Sequence, residues 1–150
     1  MLANDLCCPV GTRWFCVSSL RYGRVTGDLP GGVPLGLTDV YVDPAHAEVG
    51  NLARRSPDRL ISSFVAERTG QRIARIKQDV TAVLIGRRLS SLLIVHAGSP
   101  GLRIIRRYLD DNGESFVGSV SVHPPAGFTS PPAWSASGRA ERRAGDQARV

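Results

Sequence analysis

Along residues 14–21 the side chains alternate: Phe15, Val17 and Ser19 fall to one side of an extended chain, and Trp14, Cys16, Ser18 and Leu20 to the other. That period of two predicts a strand. Residues 23–34 then hold four glycines and two prolines, which predicts a loop. A second strand is expected over residues 35–42, stopped by Asp43-Pro44. Asp43 suits an N-cap and Pro44 the first helical position, so a short helix should run to about residue 53. Ser56-Pro57 repeats the signal. The helix it opens should reach Thr69, with Leu60, Ile61, Phe64 and Val65 on one face and Gly70 as its stop.

Beyond that point the period returns to two. Residues 71–84 read as a long strand with Ile76, Val80, Ala82 and Leu84 on one face and Arg75, Lys77, Asp79 and Thr81 on the other. Residues 86–94 read as a helix. Gly98-Ser99-Pro100-Gly101 is a turn. Two strands, 102–110 and 114–123, are joined at Asp111-Asn112-Gly113, and Asn-Gly between apolar runs signals a hairpin. The first 13 residues read as a lead-in. The order of these elements gives an α+β domain, a largely antiparallel sheet with helices packed around it. It is expected to fill residues 1–128. Residues 129–150 are rich in Ser, Pro, Ala, Gly and Arg and read as a disordered tail.

Composition narrows the class. The chain has 150 residues, enough for one domain, and 42% of them are hydrophobic, too many for a disordered chain. No apolar run is long enough to cross a bilayer, and no basic leader precedes an apolar one, so a cytoplasmic protein with no membrane partner is expected. The net charge is +6, and Lys77 is the only lysine. The arginines are scattered and no nucleic-acid motif accompanies them, so the charge alone does not make this chain a nucleic-acid binder. Cys7, Cys8 and Cys16 are an odd number with no second cysteine pair, which fits reduced thiols better than disulfides or a metal site. No cofactor is expected.

Four segments are specific enough to resemble a known family. They are Gly11 to Trp14 leading to Ser18-Ser19-Leu20-Arg21, Pro34-Leu35-Gly36-Leu37-Thr38-Asp39-Val40-Tyr41-Val42, Leu60-Ile61-Ser62-Ser63-Phe64 through Thr69-Gly70, and Gly98-Ser99-Pro100 through Arg106, Asp111-Asn112-Gly113 and the last strand. In that order and spacing they resemble the UTRA effector-binding domain of GntR-type transcriptional regulators of the HutC subfamily. The resemblance spans residues 11–129. It implies a chorismate lyase-like fold and a pocket for a small anionic metabolite: a sugar phosphate, an amino-acid derivative or a carboxylate.

The same resemblance assigns candidate ligand-binding residues. Arg21 ends the first strand where the family turns an arginine to the pocket; a bidentate guanidinium suits carboxylate or phosphate. The alternative is a solvated strand-end arginine. Ser62 falls near the pocket by position, or is a plain helix-surface hydroxyl. Thr38 stands where the family often has a polar group. Ser119, Ser121 and His123 share one face of the last strand, which the family uses for its pocket, although a polar strand face is usually just solvated. Arg106 matches a frequent family arginine and reads equally as half of a structural ion pair. Leu60 departs from the family's usual serine, and Val117 stands in place of a glutamate, which points away from amino-sugar phosphates. Arg72, Arg75 and Lys77 read as a solvated strand face. No residue is expected to be catalytic and none to bind metal.

A sensor domain is therefore the leading reading, and not an enzyme. The rivals are a stand-alone interaction module or regulator fragment, and a lyase of the same fold. A lyase would need an acid facing Arg21, and none of Glu48, Glu67, Glu114 and Glu141 falls on such a strand. The resemblance also implies a homodimer. DNA would be contacted only through a winged helix-turn-helix domain, which the residues before Gly11 are too few to form.

Overall fold

The computed structural model describes residues 2–9, 11–23, 32–56, 59–125 and 148–149. Five long strands build one antiparallel sheet: β1 (Phe15–Tyr22), β2 (Pro34–Val42), β3 (Arg75–Leu84), β4 (Pro100–Leu109) and β5 (Ser115–His123). A two-residue strand, β6 (Ala148–Arg149), lies against β1, and the spatial order is β3-β4-β5-β2-β1-β6. Four helices accompany the sheet: α1 (Leu2–Leu6), α2 (Val49–Arg55), α3 (Ile61–Thr69) and α4 (Arg87–Leu93). The architecture is the expected α+β one. None of the helices among the described residues is long and apolar enough to cross a membrane.

Register decides what each face carries. Val17 pairs with Val40, Val40 with Ser119, and Ser119 with Arg106. Paired residues share a face, so residues two apart along each strand line up across the sheet. The first face holds Phe15, Val17, Val40, Val42 and Val117. Against it pack Val49 and Ala53 of α2 and Ile61, Phe64 and Val65 of α3. This is the main core. Each such aliphatic or aromatic side chain, taken fully out of water, stabilises the fold by about 1.5–3 kcal/mol.

The second face is covered by α1 and α4. Leu6 of α1 is buried against Gly118, where an added Cβ would lie 2.4 Å from the Leu6 side chain. Arg103 pairs with Asp5, and Arg107 donates to the Asp5 carbonyl at 2.6 Å and pairs with Asp79. So α1 is tied down by two strand arginines as well as by its leucine. The reading of residues 1–13 as a lead-in missed this helix.

Boundaries differ in physically clear ways. Asp43 Oδ1 accepts from the Ala45 N–H at 2.8 Å as expected of a cap, but the segment is a 3₁₀ turn (Pro44–His46) before α2 begins at Val49. Ser56 does not open α3. Its N–H donates to the Leu52 carbonyl and closes α2, and α3 starts only after the extended Leu60. Gly70 stops α3 in the left-handed conformation, φ 69°. The β4–β5 hairpin turns where Asn112-Gly113 placed it: Asp110 Oδ1 accepts from the Asn112 and Glu114 N–H groups, and Gly113 has φ 83°. Of the tail, only Ala148 and Arg149 are described, paired with Arg21 and Leu20; the expectation of disorder for 129–150 otherwise lies outside the described residues.

Candidate functional site

Leu60, Ile61 and Ser62 stand over the far end of the first face and roof a pocket of about 250 Å³. Four central strands supply its floor and walls. β1 gives Arg21, β2 gives Thr38 and Val40, β4 gives Ile104, Arg106 and Tyr108, and β5 gives Val117, Ser119, Ser121 and His123. The parity of each strand sends these side chains to the same side.

The floor is polar although it is buried. Ser119 and Ser121 are 4% and 2% exposed, and Ser62 above them 3%. Buried hydroxyls need partners, and Thr38 Oγ1 and Ser121 Oγ lie 2.8 Å apart. His123 Nδ1 is 3.0 Å from the Leu35 carbonyl oxygen. A carbonyl only accepts, so Nδ1 carries the proton, and in the neutral ring Nε2 is the acceptor. The ring fits because residue 36 is glycine: a Cβ there would meet Nδ1 at 2.4 Å.

The charges in the wall are of one sign. Arg21 and Arg106 are both half-buried, and no Asp or Glu is among the described residues lining the pocket. Arg106 Nε donates to Gln78 Oε1 at 2.7 Å, a neutral partner. Among the described residues no ion pair of Arg106 is found. Arg72 does form one, with Asp111 on the surface, which raises the Arg72 pKa above its ordinary value through that hydrogen bond and charge.

All seven residues singled out from the sequence line this pocket: Arg21, Thr38, Ser62, Arg106, Ser119, Ser121 and His123. Ser62 is therefore no helix-surface hydroxyl, and the polar face of β5 is turned inward. Of the apolar lining, only Leu60 and Val117 stand out in the sequence, as departures from the family's polar residues. Val40 and Ile104 each lie two residues from a named one, so strand parity carried the signal. Ile61 reads from the sequence as part of the core face of α3, and Leu60 both as that and as a departure from the family's usual serine.

Comparison with known proteins agrees with this geometry. A search of curated proteins gives no match. Among solved structures, a transcriptional regulator of the GntR family from Bacillus cereus superposes with TM-score 0.66 at 14% identity, covering 89% of this chain and 87% of that one. The possible transcriptional regulator YydK from Bacillus subtilis gives TM-score 0.63 at 19% identity, covering 84% of this chain and 51% of the other. The ligand-binding domain of a GntR-family regulator from Bordetella bronchiseptica gives 0.60 at 17%, covering 82% and 75%. At these identities the likeness is one of fold, and the chain spans about half the length of YydK. The family model described as the UTRA domain matches residues 3–129, and on that match the chain belongs to the UTRA domain family.

Proposed function

We propose that this chain is the effector-sensing domain of a HutC-type GntR transcriptional regulator, and that the pocket under α3 holds a small anionic metabolite. One observation carries the reading: two arginines, four serine and threonine hydroxyls and an imidazole converge in a single pocket whose described wall has no carboxylate. A guanidinium grips carboxylate or phosphate in bidentate fashion, and the hydroxyls suit a hydroxylated or ester-bearing body. A described lining with no carboxylate disfavours a ligand that must present a free ammonium group, in line with Val117 standing where the family has glutamate. Sugar phosphates, acylated amino acids and simple carboxylates remain the class.

The site is built for binding rather than turnover. A lyase on this fold needs an acid close to the leaving group, and the carboxylates of the described residues lie outside the pocket wall. In the parent regulator, ligand binding would change how a homodimer in the cytoplasm places DNA-binding domains that lie outside this sequence.

The test is a thermal-shift screen of the purified chain against sugar phosphates, acylated amino acids and small carboxylates, followed by calorimetry on Arg21→Ala. A ligand at about 100 times its Kd adds about 2.7 kcal/mol of stability. Arg21→Ala should weaken the hit by about 1.5–3 kcal/mol, the range for a hydrogen bond to a charged group. A folded chain silent to the whole panel would favour an interaction module instead. A hit indifferent to Arg21 would remove that residue from the site.

A further inference from the structure

The second face carries a cavity of its own, about 490 Å³, where the first turn of α4 leaves the sheet. Its floor is apolar: Leu37 of β2 and Val120 and Val122 of β5 are each half-buried, and Leu89 of α4 closes one side. Its rim is cationic. Arg87 and Arg88 are exposed, and no hydrogen bond or ion pair engages either guanidinium among the described residues. Arg103 stands in the wall, held by Asp5. The one acidic group in the lining is Asp39, which accepts from Ser18 Oγ at 2.6 Å.

We propose that this cavity is a second ligand site, distinct from the pocket under α3, and that it takes an amphipathic monoanion: an alkyl or aryl carboxylate with its apolar body on the valines. Two features select that class. Arg103 is neutralised by Asp5, so Arg87 and Arg88 against Asp39 leave the site positively charged, which attracts an anion and repels an amine. The floor offers no hydroxyl to a polyhydroxylated ligand, so a sugar phosphate would strip its own hydration there without replacement. An apolar chain, by contrast, gains by covering Leu37, Val120 and Val122. The two pockets thus divide anions by the other end of the molecule: hydroxylated under α3, apolar beside α4.

The site does not depend on the sensing role of the first pocket, and its test keeps them apart. Decanoate is titrated into the isotope-labelled chain and the backbone amides are followed by NMR. The proposal expects shifts centred on Leu37, Leu89, Val120 and Val122. It also expects 1-decanol, the uncharged analogue, to bind more weakly. Arg87→Glu/Arg88→Glu changes two exposed side chains and should weaken decanoate roughly tenfold through loss of charge-assisted contacts, with the melting temperature unchanged. Arg21→Ala should leave decanoate binding as it was. Shifts confined to the α3 pocket, no saturable shifts at all, or equal affinity for decanoate in the charge-reversed variant would each overturn the proposal.

Discussion

Residue 36 shows how much one missing methyl can decide. Gly36 faces His123, and the ring is pinned by its hydrogen bond to Leu35. Gly36→Ala cannot be absorbed by a small rotation, because moving the ring breaks that bond. The variant should lose about 1–3 kcal/mol, the usual cost of overpacking, and a thermal melt reads this as several degrees. An unchanged melt would show that His123 moves freely and is no fixed part of the pocket. The strand residues among the polar candidates were legible in the sequence because they combined strand parity with a family position, and Ser62 on α3 by family position alone. Val40, Ile61 and Ile104 were not, since an aliphatic side chain looks the same whether it fills a core or lines a cavity. Ile61 does both.

Among the elements, β3 stands apart. It is ten residues long, sits at the edge of the sheet, and is exposed on both faces along nearly its whole length. Ile76 and Val80 are each 52% exposed and Leu84 76%. The alternation that predicted the strand was right about its faces but silent about burial, because period two records only that two faces differ. A long open edge with an apolar row needs a partner. In a dimer built on β3, Val80→Glu places a charge in the row, and the variant should sediment as monomer where the parent chain sediments as dimer. Equal sedimentation of the two would exclude this edge as the contact. Helix starts were the least legible feature. Ser56-Pro57 carries every mark of an N-terminus, yet the Ser56 N–H was already committed to closing α2. A cap signal states what a residue is able to do, and competition between neighbours settles what it does. α1 escaped notice because five residues carry too little periodicity to detect; its place is set by Leu6, Arg103 and Arg107, contacts distant in sequence.

For the molecule as a whole, the sheet and two helical layers account for the described core without the C-terminal segment. The only described part of that segment is the two-residue ladder of β6 on the outer edge of β1. Deleting residues 130–150 should therefore lower the melting temperature by no more than a few degrees, since a two-residue edge ladder contributes on the order of 1 kcal/mol. A larger drop would show that the tail packs on the domain.

The back-to-back arrangement of the two cavities has a consequence for how such a domain can change over generations. Thr38 and Leu37, or Ser121 and Val122, are neighbours in the chain yet line opposite cavities. Point substitutions can therefore retune one cavity and leave the other untouched, which makes the two specificities separately heritable. Insertion or loss of a single residue within β2 or β5 does the opposite. In β5 it would swap the floors, turning Val120 and Val122 toward α3 and Ser119 and Ser121 toward α4, and in β2 it would turn Leu37 toward α3 and Thr38 toward α4. Lineages descending from this fold should accordingly vary freely at these positions while keeping the lengths of these two strands fixed.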